Sequence, residues 1–152
     1  MGLALLMVPV SAEEPDAASE LRRKITFDQV TVSKYRDVFD PHPSGRPATL
    51  STESYATAQR QVDALKGVLK GLASDYRRYQ LRSYRVLFRD EKLTGEWGEL
   101  QEAVTQLLDF VDKTGPKNYS RVGIWNRLDA VSIAYENVTD RLDVLIRRES
   151  RV

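Results

Sequence analysis

The sequence predicts an all-α protein: an up-down four-helix bundle carrying an irregular, Pro-containing N-terminal arm. Three observations predict it. From Ser51 onward, apolar residues recur in alternating steps of three and four, the spacing of a helix face packed nearly parallel or antiparallel to its neighbours. Turn and capping residues separate these runs. The 152 residues, 41 % hydrophobic and 30 % charged, suffice for one core and one solvated surface, and so for one domain.

Residues 1–12 form a signal-peptide-like apolar segment. Gly2 to Val10 is uncharged and apolar, too short to span a bilayer but suited to the h-region of a signal peptide. Val10-Ser11-Ala12 fits the small-residue cleavage rule, although no basic n-region precedes it. The expectation is an exported chain whose mature form begins near Glu13.

Residues 13–50 read as an N-terminal arm or linker, lying outside the bundle or strapped across it. Glu13 to Ser19 is acidic, small and Pro-containing. From Glu20 to Phe39 the pattern supports two readings. Leu21, Ile25, Val32, Tyr35 and Phe39 fall at helical spacing, whereas Ile25-Thr26-Phe27 and Val30-Thr31-Val32 are rich in residues that favour strands. Pro41, Pro43, Gly45 and Pro47 then exclude a continuing helix or a central strand.

Residues 51–150 form the bundle domain. Ser51 or Thr52 caps its first helix. Tyr55, Ala58, Val62, Leu65, Leu69, Leu72, Tyr76 and Tyr79 make one seam. The run reads as one helix or two: Gly67 and Gly71 weaken it and Ser74-Asp75 resembles a new cap, so a break or bend is expected between Gly71 and Asp75. Leu81, Tyr84, Leu87 and Phe88 displace the apolar face slightly. After a turn at Asp90 to Thr94, with Thr94 as cap, Trp97, Leu100, Val104, Leu107 and Val111 repeat the spacing until Gly115-Pro116 ends the helix. Ser120 caps the last helix, whose seam is Trp125, Leu128, Val131, Tyr135, Val138, Leu142 and Leu145.

Composition excludes several chemistries. Cysteine is absent, which rules out disulfides, thiolate nucleophiles and Cys-type metal sites. The one histidine, His42, sits between prolines, so neither a Glu-x-x-His di-iron pattern nor a Ser-His-Asp triad can be assembled. Asp109 and Asp112, and Asp140 and Asp143, share helix faces, an arrangement common on solvated bundle surfaces. Gly67 and Gly71 lack the lysine and hydroxyl residue of a phosphate loop; small residues at that spacing more often let two helices approach closely. No catalytic, cofactor-binding or metal-binding residue is therefore expected, nor a small-molecule substrate. Asn118-Tyr119-Ser120 and Asn137-Val138-Thr139 match the glycosylation sequon; the second lies on a helix seam.

The richest surface feature is arginine. Arg78, Arg82, Arg85 and Arg89 run in steps of four, three and four, with Arg77 beside them and Tyr76, Tyr79 and Tyr84 interleaved. Arginine and tyrosine both combine flat contact area with directional polar groups. Arg77, Arg78, Tyr79, Arg82, Tyr84, Arg85 and Arg89 are the candidate partner-binding residues. A solvated face with intrahelical ion pairs produces the same pattern. With 23 basic against 22 acidic residues, net charge does not point to nucleic acid.

The order of a Pro-containing leader, a helix, and a helix reading Tyr76-Arg77-Arg78-Tyr79-Gln80-Leu81-Arg82-Ser83-Tyr84 resembles the PsbQ-like extrinsic proteins of photosystem II. So do the Leu/Asp-containing third helix and a last helix with Leu128-Asp129-Ala130, Tyr135 and Leu142-Asp143-Val144-Leu145. The resemblance covers residues 41 to 148. It implies a four-helix bundle in the thylakoid lumen, peripherally associated with a large membrane protein complex that it stabilises without catalytic residues of its own. The alternative is a free periplasmic or secreted helical-bundle carrier, with a pocket lined by Trp97, Trp125 and tyrosines.

Overall fold

A computed structural model describes residues 17–40, 52–113 and 120–150. They form four helices: α1 (Ala17–Val38), α2 (Thr52–Arg78), α3 (Glu91–Lys113) and α4 (Arg121–Ser150). Between α2 and α3 lie a π turn (Tyr79–Ser83) and a 3-10 turn (Arg85–Arg89). No strand occurs among the described residues.

Long-range contacts fix the directions. Tyr84 and Glu20, and Tyr76 and Asp28, pair α1 with the α2 line in opposite sense. Lys66 meets Asp112 at 3.8 Å while Trp97 donates to the Tyr76 carbonyl at 3.2 Å, so α3 returns along α2. Arg141 on α4 reaches Asp90 at the start of α3, and Arg127 lies 3.8 Å over the Phe110 ring at its end. Arg22 to Asp143 and Arg36 to Asp129 close the circle antiparallel between α1 and α4. The result is an up-down-up-down bundle, and its seams form one core. Leu65, Val104 and Leu142, each at mid-seam, are fully buried. Truncating such a leucine to alanine costs about 2–5 kcal/mol.

The fold class agrees with the sequence pattern, but the four helices are a different four. Residues 17–38, expected in an arm outside the bundle, are helix α1. Their inward positions are Ala18, Leu21, Ile25, Asp28, Val32, Tyr35 and Phe39, an unbroken alternation of threes and fours. Asp28 occupies one of these seam positions, and that is why the stripe looked interrupted. Burial of Leu21, Ile25, Val32 and Phe39 outweighs the strand preference of the β-branched residues, which spans only about 1 kcal/mol per position. The Thr26 and Thr31 hydroxyls donate to the carbonyls of Arg22 and Phe27 one turn back, as threonine does inside helices. The apolar segment 1–12, residues 13–16 and the Pro-rich stretch 41–47 lie outside the described residues.

The expected break between Gly71 and Asp75 does not occur. Helix α2 runs through to Arg78, with Ser74 and Asp75 in its interior. A Cβ on Gly67 or Gly71 would meet nothing within 4 Å, so neither glycine marks a close helix approach. That approach is at Gly123 on α4, where a Cβ would lie 2.6 Å from the Phe110 ring. The discontinuity in the chain comes later, at Tyr79. There the Tyr84 N–H donates to the Tyr79 carbonyl at 2.8 Å, a five-residue step. Asp90, not Thr94, caps α3: its carboxylate accepts the Leu93 N–H at 2.9 Å, while the Thr94 hydroxyl donates to the Phe88 and Asp90 carbonyls. Ser120 caps α4 as expected, its hydroxyl oxygen accepting the Gly123 N–H at 3.0 Å. Ser51, Gly115, Pro116 and the Asn118 sequon lie outside the described residues. At the other sequon Asn137 is exposed, but Val138 and Thr139 are buried in α4.

Candidate docking surface

The segment following α2 is organised by its tyrosines. In an uninterrupted α-helix the seam of Tyr76 and Tyr79 continues to Ser83 and Val86. The π turn inserts one residue, so Tyr84 falls inward instead, followed by Leu87 and Phe88 against the core. Tyr79 and Tyr84 meet edge to face at 5.3 Å. The Lys24 ammonium lies about 5 Å from both ring centroids (5.1 and 5.2 Å), and the Tyr84 hydroxyl donates to Glu20 at 2.7 Å. Burial pushes the Tyr84 phenol above its ordinary range, so it stays a protonated donor.

The candidate partner-binding residues therefore divide. Tyr79 and Tyr84 are buried and hold the segment to α1; they are not available as surface contacts. The five arginines are all exposed. Arg78 is engaged locally, 3.1 Å from Asp75 and over the Tyr79 ring at 5.5 Å. Arg77, Arg82, Arg85 and Arg89 have no ion-pair partner among the described residues. Leu81, on the outer face of the turn, and Val86, displaced outward by the π turn, are 58 % and 65 % exposed between them. Arg77, Arg78, Leu81 and Arg82 line a shallow groove with Ala73 and Ser74.

A bidentate pair anchors the end of this segment. The Arg141 Nε and a terminal guanidinium nitrogen donate to the two Asp90 oxygens at 2.8 and 2.7 Å. That hydrogen bonding holds the Asp90 carboxyl down at about 2, with the Leu93 N–H and the charges of Arg141 and Arg148 assisting. Of the carboxylates spaced in pairs along α3 and α4, Asp112 faces Lys66 and Asp143 faces Arg22.

A polar chain crosses the bundle interior and was missed by the sequence pattern. The Tyr135 and Tyr76 hydroxyls are 2.5 Å apart, and Tyr76 donates to Asp28 at 2.8 Å. Burial pushes both phenols far up, so neither ionises near neutral pH; it also raises the Asp28 carboxyl, against the Tyr76 hydrogen bond. The available signal was an aspartate in seam register on α1. Trp97 is fully buried and packs on Tyr76 and Phe88, each at 5.1 Å. Trp125 stands near the opposite end of the bundle under Arg36, so the two tryptophans do not line one pocket. No group of three or more potential metal ligands gathers among the described residues, and none of the described helices is long and apolar enough to cross a membrane. His42 lies outside the described residues.

No family model, curated protein or solved structure matches this chain.

Proposed function

We propose that this protein is a non-catalytic extrinsic subunit that docks on the lumenal face of a large membrane protein complex and stabilises it. The observation that carries the reading is the run of exposed arginines Arg77, Arg82, Arg85 and Arg89, none of which has a carboxylate partner among the described residues. Exposed arginines at that density repel one another and favour an acidic counter-surface. A rigid bundle with a filled core presents such a surface without conformational change. The PsbQ-like resemblance makes photosystem II the candidate complex and the thylakoid lumen the candidate compartment, in keeping with the signal-peptide-like residues 1–12.

The test is a salt wash of membranes isolated with the protein bound. Exposed charge pairs are screened as the Debye length falls toward about 3 Å near 1 M salt. The protein is expected to leave the membranes in that range and to copurify with the complex at low salt. A chain that stays soluble at low salt and copurifies with no membrane complex is instead a free periplasmic or secreted protein.

A further inference from the structure

We infer that the exposed arginines and aliphatics of residues 77–89 form a seat for an anionic lipid bilayer, so that the bundle rests on lipid headgroups beside its protein partner. This rests on the docking reading above and names the chemistry that the surface meets. The exposed set is Arg77, Arg82, Arg85 and Arg89, with Leu81 and Val86 between them. Energetically dominant residues of protein interfaces are enriched in tryptophan, tyrosine and arginine, with the aromatics filling pockets. Here Tyr79 lies on the helical seam and the π turn brings Tyr84 in beside it, so that the two rings meet edge to face under Lys24. Within residues 77–89, what remains outside is guanidinium and aliphatic side chain, and an exposed aromatic, Phe27 of α1, shares a groove with Tyr79. That combination matches the headgroup region of a bilayer: guanidinium groups bind phosphate oxygens bidentately, and short apolar side chains reach the acyl boundary.

Position favours the same partner. Residues 79–90 make the connection from α2 to α3, and so lie at one end of the bundle. The C-terminal turn of α4 reaches the same end, since the Arg148 charge acts on Asp90, and it adds the exposed Arg147 and Arg148. A net charge of +1 over the whole chain therefore conceals a basic end. Two aliphatic side chains bury too little surface to hold a protein on neutral lipid, so association depends on anionic headgroups.

The experiment is cosedimentation of the full chain with vesicles of phosphatidylcholine, with and without phosphatidylglycerol, over a range of salt. Binding is expected only when phosphatidylglycerol is present, and should fall steeply as salt rises. R82A/R85A should weaken it by about tenfold or more, since each basic residue near an anionic surface changes partitioning about fivefold. L81S/V86S should weaken it while leaving the salt dependence unchanged. These side chains are exposed, and a circular dichroism spectrum checks that the helices persist. Failure to bind phosphatidylglycerol vesicles at low salt overturns the inference, as does equal binding by R82A/R85A. If vesicles fail while the membrane complex still retains the protein, the patch reads an acidic protein face and the docking proposal stands. If vesicles bind but the complex does not retain the protein, the lipid seat stands and the docking proposal falls.

Discussion

The last turns of α2 and the eleven residues that follow it use the same alphabet of arginine and tyrosine, yet they do opposite things. Up to Arg78 the chain is a regular helix, with Tyr76 in the core and Arg78, though not Arg77, held by a carboxylate one turn back, that of Asp75. From Tyr79 to Arg89 it is a π turn and a 3-10 turn. The tyrosines are still inside, but the arginines have no carboxylate partner among the described residues and two aliphatics stand in solvent. Composition does not separate the two regions. The backbone step does: one extra residue in the turn keeps Tyr84 on the core at the expense of exposing Val86, beside the outward Leu81. Regions that satisfy the core while leaving their outer face unpaired are where recognition is to be sought.

The largest expected effect lies in the regular region. Trp97→Ala should cost about 3–5 kcal/mol of stability, read from urea or guanidinium unfolding, because the indole packs between Tyr76 and Phe88 and donates to the Tyr76 carbonyl. A cost below about 1 kcal/mol would mean that the core is not assembled around it.

Next comes the pair that ties the irregular segment to α4. Asp90→Asn should destabilise by about 1–3 kcal/mol near neutral pH, because it leaves Arg141 without its bidentate acceptor. The sign of the pH dependence follows from the depressed carboxyl. Its folded value of about 2 lies below the ordinary carboxylate range, so its contribution is fully present above about pH 5. It is lost as pH falls through about 2. The stability gap between wild type and Asp90→Asn should therefore close on acidification; a gap constant from neutral pH to about 2 would contradict this.

Tyr76→Phe comes third, at about 1–3 kcal/mol, since it leaves the buried Tyr135 hydroxyl and Asp28 short of a partner. The lost hydrogen bond had held the carboxylate down against burial, so the Asp28 pKa should rise further, as an NMR titration of the side chain would show. Gly71→Ala is the smallest, and stabilising: roughly 0.5–1 kcal/mol, because the position is helical, exposed and open around its Cβ.

These predictions also mark where the sequence could be read. The seams of α3 and α4 were legible because their three–four repeats are apolar throughout, the buried Ser132 and Thr139 of α4 lying beside the repeat. The seam of α1 was not, because Asp28 stands at one of its positions and the flanking Ile-Thr-Phe and Val-Thr-Val runs mimic strands. Its partner, Tyr76, lies 48 residues away, and nothing local announces the pairing. The glycines of α2 suggested a break because propensity is a weak local term, overridden by burial of Leu65, Leu69, Leu72 and Tyr76. The arginine stripe was visible, but its division was not. Arg78 finds Asp75 one turn back in α2 while its neighbour Arg77 does not, and whether Tyr84 faces in or out depends on a π turn with no sequence signature here beyond the five-residue step from Tyr79 to Tyr84.

The central claim is that the exposed arginines of residues 77–89 attach the bundle to its membrane partner. Rebinding to salt-stripped membranes at low ionic strength tests it most directly, with wild type and R82E/R85E/R89E compared side by side. Stability should change by no more than about 0.5 kcal/mol, as for other exposed positions without partners. The account predicts saturable rebinding by the wild type and loss of rebinding by the variant. Rebinding of the folded variant at the wild-type level would contradict it, and would leave the arginine cluster as a solvated face.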